Sequence, residues 1–155
     1  MPVVLKRAQE QDVPRLWQMQ VEAFLPLLKK YGDYSTNPAC EDESMVRNRF
    51  RQPHTDYYLI LSDGEAVGGV RVVRREDGKK RISPLFVLPA HQGKGIAQSA
   101  MKQLEALYPG AKWELNTILE EKGNCHLYEK MGFCRTGEYE KINDKMTLVY
   151  YRKYR

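Results

Sequence analysis

The chain has 155 residues, enough for one domain with a proper core, and its 42% hydrophobic and 29% charged residues describe a globular chain rather than a disordered one. No stretch has the length and apolarity of a membrane span or a signal peptide, and Cys40, Cys125 and Cys134 follow no paired spacing, which points to reduced thiols in a cytoplasmic protein. The formal charge of +5 is a mild bias, most of it expected on solvated surface.

Val3 to Lys6 reads as a first strand. Asp12 is placed to cap a helix with Pro14 in its first turn, and Leu16, Met19, Ala23 and Leu27 recur at helical spacing. Pro26 is expected to bend or end that helix, because proline lacks the N–H a helix interior needs. A polar loop over Gly32 to Pro38 leads to a charge-rich second helix over Glu41 to Arg51. Tyr57 to Leu61 and Ala66 to Val73 are strands joined by an Asp63-Gly64 turn, and Asp77-Gly78 turns the chain into a strand over Arg81 to Leu88. A helix over Ile96 to Leu107, with Met101, Leu104 and Leu107 on its apolar face, ends before Pro109-Gly110. Lys112 to Ile118 is a strand, Asn124 to Met131 a helix stopped by Gly132, and Phe133 to Glu140 with Lys145 to Tyr154 a final hairpin around Asn143-Asp144. The order β-α-α-β-β-β-α-β-α-β-β predicts an α/β (α+β) fold, one mixed sheet flanked by helices.

Between the strand ending at Leu88 and the helix starting at Ile96 lies Pro-Ala-His-Gln-Gly-Lys-Gly. Gly93 and Gly95 therefore sit where a loop enters a helix N-terminus, whose first amides lack internal acceptors and whose dipole is positive. Glycines there let the backbone approach an anion, and phosphate is the natural guest. The same Gly-x-Gly also serves as a plain tight connection. Two other phosphate loops are excluded: Lys94 is followed by Gly95 rather than Ser or Thr, and Gln98 stands where a dinucleotide fingerprint needs a small residue.

Downstream comes Leu127-Tyr128-Glu129-Lys130-Met131-Gly132-Phe133. The glycine loop Gln-x-x-Gly-x-Ala, then a strand, then Leu-Tyr-Glu-Lys-x-Gly-Phe, resembles the GNAT family of acyl-CoA-dependent N-acetyltransferases, and the element order is also that family's. The resemblance covers nearly the whole chain, residues 1–155, as one domain. It implies a mostly antiparallel, twisted sheet of about seven strands with about four helices, splayed between the fourth and fifth strands.

The resemblance further implies acetyl-CoA (coenzyme A) as cofactor. Its pyrophosphate is expected on Gln92, Gly93, Lys94, Gly95, Ile96, Ala97 and Gln98, and its pantetheine arm on the main chain of Leu85, Phe86 and Val87. The same strand's amide would polarise the thioester carbonyl. Tyr128 matches the family's general acid, and a phenol of pKa ~10 can protonate a departing thiolate of pKa ~8.5; a tyrosine on an amphipathic helix can also merely pack.

Two departures from the family pattern bear on the site. The family's asparagine seven residues before the tyrosine is Glu121 here; Asn124, one helical turn before Tyr128, either takes over the cofactor contact or caps the helix. The glutamate that some members carry on the strand before the loop is absent from Arg81-Ile82-Ser83-Pro84; the resemblance to members that carry one on the following strand implies Glu114 as base, against a plain solvent-facing role or proton loss to water. Glu22, Tyr31 and Tyr34 could line the acceptor groove. His54, His91 and His126 show no zinc spacing with the cysteines, so no metal is expected, and Cys125 has no evident activating base.

The expected reaction is direct transfer of acetyl to a primary amine, a small molecule or a peptide N-terminus, in a ternary complex. The alternative is a catalytically silent acyl-CoA-binding or regulatory module. The tail Tyr150-Tyr151-Arg152-Lys153-Tyr154-Arg155 interleaves aromatic and basic residues as a nucleic-acid surface does, but its alternation suits a terminal strand, and neither nucleic acid nor membrane is expected as partner. A homodimer is a common arrangement in the family.

Overall fold

The computed structural model describes residues 2–154; Met1 and Arg155, the last residue of the basic tail, lie outside them. Seven strands, β1 (Val3–Arg7), β2 (Thr55–Ser62), β3 (Glu65–Arg74), β4 (Lys80–Val87), β5 (Trp113–Ile118), β6 (Cys134–Asn143) and β7 (Met146–Lys153), form one sheet in the order β1-β2-β3-β4-β5-β7-β6. Its helices are α1 (Val13–Tyr31), α2 (Glu43–Phe50), α3 (Ile96–Leu107) and α4 (Lys122–Lys130). Neighbouring strands are antiparallel except β4 and β5.

The two-residue period of a strand divides the core between two layers. Tyr57 and Leu59 of β2 pack with Val13, Leu16, Met19 and Ala23 of α1 and Val46 of α2. Tyr58 and Ile60 belong to the opposite face, with Ile96, Ala100, Met101 and Leu104 of α3 and Tyr128 of α4. Each aliphatic side chain so buried contributes ~1.5–3 kcal/mol relative to exposure.

Several local details differ from the sequence expectation, each for a packing reason. Helix α1 does not end at Pro26; it runs for 19 residues and stops at Gly32, whose φ of 65° is left-handed. Pro26 deprives the Glu22 carbonyl of its helical partner, yet the buried stripe from Leu16 to Leu28 holds the helix on the sheet. Asp12 does not cap α1 with its side chain but accepts from the Gln9 amide at 2.8 Å, closing the short turn that feeds the helix. Helix α2 is shorter than expected because Asp42 caps it, accepting from the Met45 amide, while Glu41 pairs with Arg49 and Gln20. Leu107 is 53% exposed, since α3 ends there and Tyr108 turns inward instead.

What positions the site is the behaviour of β4 and β5. They pair only through Lys80 with Trp113 and Arg81 with Glu114, and then part. Further along, β4 keeps β3 as its partner and β5 keeps β7. Two inner strand edges are left facing a gap in the middle of the sheet. Among the described residues no helix is long and apolar enough to cross a membrane.

A polar clasp closes the opposite end of the sheet. The buried Asp56 carboxylate accepts from Arg7 at 2.8 Å, from Arg74 at 3.1 Å and from the Tyr108 hydroxyl at 2.6 Å, which also meets Tyr58 at 2.7 Å. Burial pushes the carboxyl up, but Tyr108, Arg74 and Arg7 together hold it below the ordinary carboxylate range. A depressed carboxylate adds stability above its unfolded pKa of ~3.9 and loses it as pH falls through the lower folded value. Asp56→Asn is therefore expected to cost roughly 1.5–3 kcal/mol at pH 7. In urea denaturation the gap between variant and wild type should narrow below about pH 4; a gap constant down to pH ~2 would contradict the clasp.

Candidate active site

Two clefts open where β4 and β5 part. The larger, about 650 Å³, runs along the inner edge of β4 to the start of α3 and is lined by Leu85, Phe86 and Val87, then by Gln92, Gly93, Gly95, Ile96, Ala97 and Gln98. Helix α1 supplies its other wall through Pro26, Leu27 and Lys30, and α4 through Asn124, Leu127 and Tyr128. The smaller, about 280 Å³, lies between the C-terminal part of β5, the α1–α2 connection and the start of β7. Leu27, Leu85, Asn124 and Tyr128 line both, so the clefts meet at Tyr128.

The loop into α3 has the anatomy of an anion cradle. Gly93 and Gly95 have φ of 77° and 75°, and a Cβ at either would meet no atom within 4 Å, so their Cα atoms border open space. Ser99 donates to the Gly95 carbonyl at 3.0 Å; the amides of Ile96, Ala97 and Gln98 precede that first closure and point out of the helix end. Gln92 donates to the Val87 carbonyl at 2.9 Å and so fixes the loop to the end of β4. Lys94 is exposed and, unlike the glycines beside it, does not line the cleft. Ile96 is 2% exposed and anchors α3 in the core.

Tyr128 is buried, with its ring edge-on to Phe133 at 5.9 Å and tilted against Tyr151 at 6.2 Å. Burial, with a smaller contribution from Cys125, pushes its phenol up to about 12. Asn124 is not a cap: α4 begins at Lys122 after Glu121, and Asn124 lies inside the first turn and lines both clefts. Glu121 accepts from Lys30 at 2.7 Å and from the Tyr31 hydroxyl. Burial acts to raise its carboxyl, but Lys30 and Tyr31 outweigh it and hold the group low. Helix α1 is thereby tied to the start of α4 across the gap.

Glu114, the base expected from the sequence, lies apart from the clefts. It sits at the closed end of the gap, paired with Arg81, and lines neither cleft. Tyr154 donates to it at 2.9 Å and Arg75 at 3.3 Å, with Lys79 at 3.8 Å, so the carboxylate is held by cations away from Tyr128. Glu22 and Tyr34 also line neither cleft, and Tyr34 is 74% exposed. Tyr31 is buried against Ile118 and Met146. In their place the smaller cleft takes Phe24, Leu27, Asp33, Thr36 and Asn37. The Asp-x-Ser-Thr pattern at Asp33 signals a turn in the sequence, but not the direction in which that turn faces.

His91 lines the larger cleft, whereas the cysteines and the tail residues 150–154 line neither. All three cysteines are free, and the Cys125 thiol lies 3.7 Å from the Ile118 carbonyl. Tyr154 is ringed by Lys79, Lys112 and Arg152 at 5.4, 5.8 and 5.1 Å from its ring centre, so this tail aromatic is already engaged. Among the described residues no group of three or more His, Cys, Asp and Glu is placed to hold a metal ion.

Comparison with known proteins gives this geometry its lineage. The uncharacterized protein YrkN of Bacillus subtilis (strain 168) is 34% identical over 135 residues, which span 84% of this chain and 72% of that one. An N-acetyltransferase from Staphylococcus aureus Mu50 superposes with a TM-score of 0.76 at 15% identity, covering 99% of each chain. RimL, a ribosomal L7/L12 alpha-N-protein acetyltransferase solved in complex with coenzyme A, superposes with a TM-score of 0.71 at 14% identity, covering 98% of this chain and 93% of that one. Residues 13–133, from the first turn of α1 to the phenylalanine that follows Gly132, match the acetyltransferase (GNAT) family. The chain thus belongs to the GNAT family of acyltransferases, whose cofactor is acetyl-CoA.

Proposed function

We propose that this protein transfers an acetyl group to a primary amine by direct attack in a ternary complex. The observation that carries the reading is that two clefts of different character share Tyr128, Asn124, Leu27 and Leu85. One cleft ends in a row of free amides suited to a pyrophosphate, and the other is a short slot beside the α1–α2 connection. Acetyl-CoA in the larger cleft supplies a thioester, at whose acyl carbon a C–N bond to the amine forms as the C–S bond breaks.

Each residue then has a task in this reading. The amides of Gly93, Gly95, Ile96, Ala97 and Gln98 hold the pyrophosphate, and the unpaired edge of β4 at Leu85, Phe86 and Val87 receives the amide groups of the pantetheine arm as a strand receives a partner. A main-chain N–H of the same edge stabilises the carbonyl oxygen as it gains charge. Tyr128 keeps its proton across the neutral range and gives it to the departing sulfur. Asn124, facing both clefts, orients the groups that meet there. Glu114 does not act as base. The amine's proton leaves to water, because Asp33, the carboxylate on the acceptor cleft, is held below its ordinary pKa by Thr36 and Ser35 against the effect of burial and is a weak base.

Tyr128→Phe is expected to lower kcat by roughly 10²–10⁴-fold with little change in acetyl-CoA affinity. Full activity in that variant would remove Tyr128 from the acid role. Because the phenol is pushed up to about 12, the wild-type rate should climb with pH as the amine deprotonates. No falling limb should appear up to pH ~10, and steady-state rates across pH 6–10 test this. Gly95→Trp fills the open space over the loop and forces a side chain into left-handed backbone. Isothermal titration should show coenzyme A binding to the wild type and its loss in the variant; equal binding to both would reduce the loop to a connection. Binding without turnover of any amine would mark a silent acyl-CoA-binding module.

A further inference from the structure

We infer that the smaller cleft selects a compact amine carrying no carboxylate, because its wall holds a buried anion, Asp33, that lacks a cation partner. The inference rests on that cleft being the acceptor site. About 280 Å³ is at or below the small end of ligand pockets, which run from ~300 to ~1,000 Å³. Phe24, Leu27, Leu115, Ile118, Met146 and Leu148 give it apolar walls. The chain carries 25 Lys and Arg, yet among the described residues none lines this cleft. Arg71, which does not line the cleft, donates through Nε to the carbonyl of the lining residue Ser83 at 2.6 Å. Lys30 borders only the larger cleft and is paired with Glu121.

Asp33 is 3% exposed. Its Oδ1 accepts from the Ser35 amide and hydroxyl at 3.2 and 3.0 Å and from the Thr36 amide at 3.0 Å, and its Oδ2 from the Thr36 hydroxyl. All of these donors are neutral, and no Lys, Arg or His among the described residues forms an ion pair with it. Buried charges are ordinarily paired. A substrate ammonium entering the cleft supplies the missing counter-charge while its apolar body meets the walls. A guest carboxylate meets the opposite case, a second anion in an apolar slot with no cation to receive it.

The test uses leucinamide and leucine, which share shape and amine and differ in one charge, with 3-methylbutylamine as the minimal ligand. Coenzyme A is titrated first, so failure of the cofactor reading is seen separately from failure of this inference. Each amine is then titrated into the coenzyme A-saturated protein by calorimetry. Leucinamide and 3-methylbutylamine should bind, and leucine should bind at least about tenfold more weakly. Asp33→Asn keeps an oxygen for the Ser35 and Thr36 donors but removes the charge, and should weaken the two cationic ligands by about tenfold. Asn116→Lys, which places a cation on the cleft without touching that turn, should narrow or reverse the preference against leucine. Equal binding of leucine and leucinamide, unchanged binding in Asp33→Asn with an unchanged preference in Asn116→Lys, or no binding by any of the three would each overturn the inference.

Discussion

Strand backbones must place their N–H and C=O groups somewhere, and β4 and β5 stop placing theirs on each other after two residue pairs. The rest of the molecule is arranged around that gap. Antiparallel partners on the outer sides, β3 for β4 and β7 for β5, keep each strand rigid where its inner edge is bare. A bare edge inside a sheet is a poor place for a solvent-exposed loop and a good one for an extended guest that brings its own amide groups. The glycine loop lies at the open end of that edge, fixed there by the bond from Gln92 to Val87.

Helix α1 decides how the gap is divided. Its C-terminal turn is held by Glu121 through Lys30 and Tyr31, by Asn143 on the Tyr31 carbonyl at 2.9 Å, and by packing of Tyr31 on Ile118 and Met146. These contacts stretch α1 across both parted strands. Leu27 becomes the ridge between the two clefts, with Pro26 on the side of the glycine loop and Phe24 on the other. Glu121 stands where the resemblance led one to expect an asparagine reaching for the cofactor. In this chain the position serves instead to hold two helices together.

Much of this was legible in the residues. Apolar runs between turn residues marked the strands, Asp63-Gly64 and Asn143-Asp144 marked hairpin turns, and the family resemblance carried by the two spaced motifs implied the gap between the fourth and fifth strands. The discrepancies have a common cause in tertiary packing. Pro26 signals a break, but a buried face outweighed one missing hydrogen bond. Glu114 lies on β5 in the last residue pair on the closed side of the fork, and no local pattern marks where two parallel strands part. The walls of the smaller cleft come from α1, its following turn, β5 and β7, segments far apart in the chain. Asp33 could be read as a turn residue and nothing in its neighbours says which way the turn looks.

The sharing of Leu27, Leu85, Asn124 and Tyr128 between the clefts has a consequence for how such a protein can change over time. A substitution at any of the four alters both clefts at once and is penalised twice. Asp33, Thr36 and Asn37 of the α1–α2 connection and Met146 and Leu148 of β7 border the smaller cleft alone. Asn116 and Thr117 of β5 border it alone as well. A change at such positions reshapes the acceptor side and leaves the lining of the larger cleft as it is, so new acceptor preferences in descendants of this chain can arise without disturbing the cofactor side.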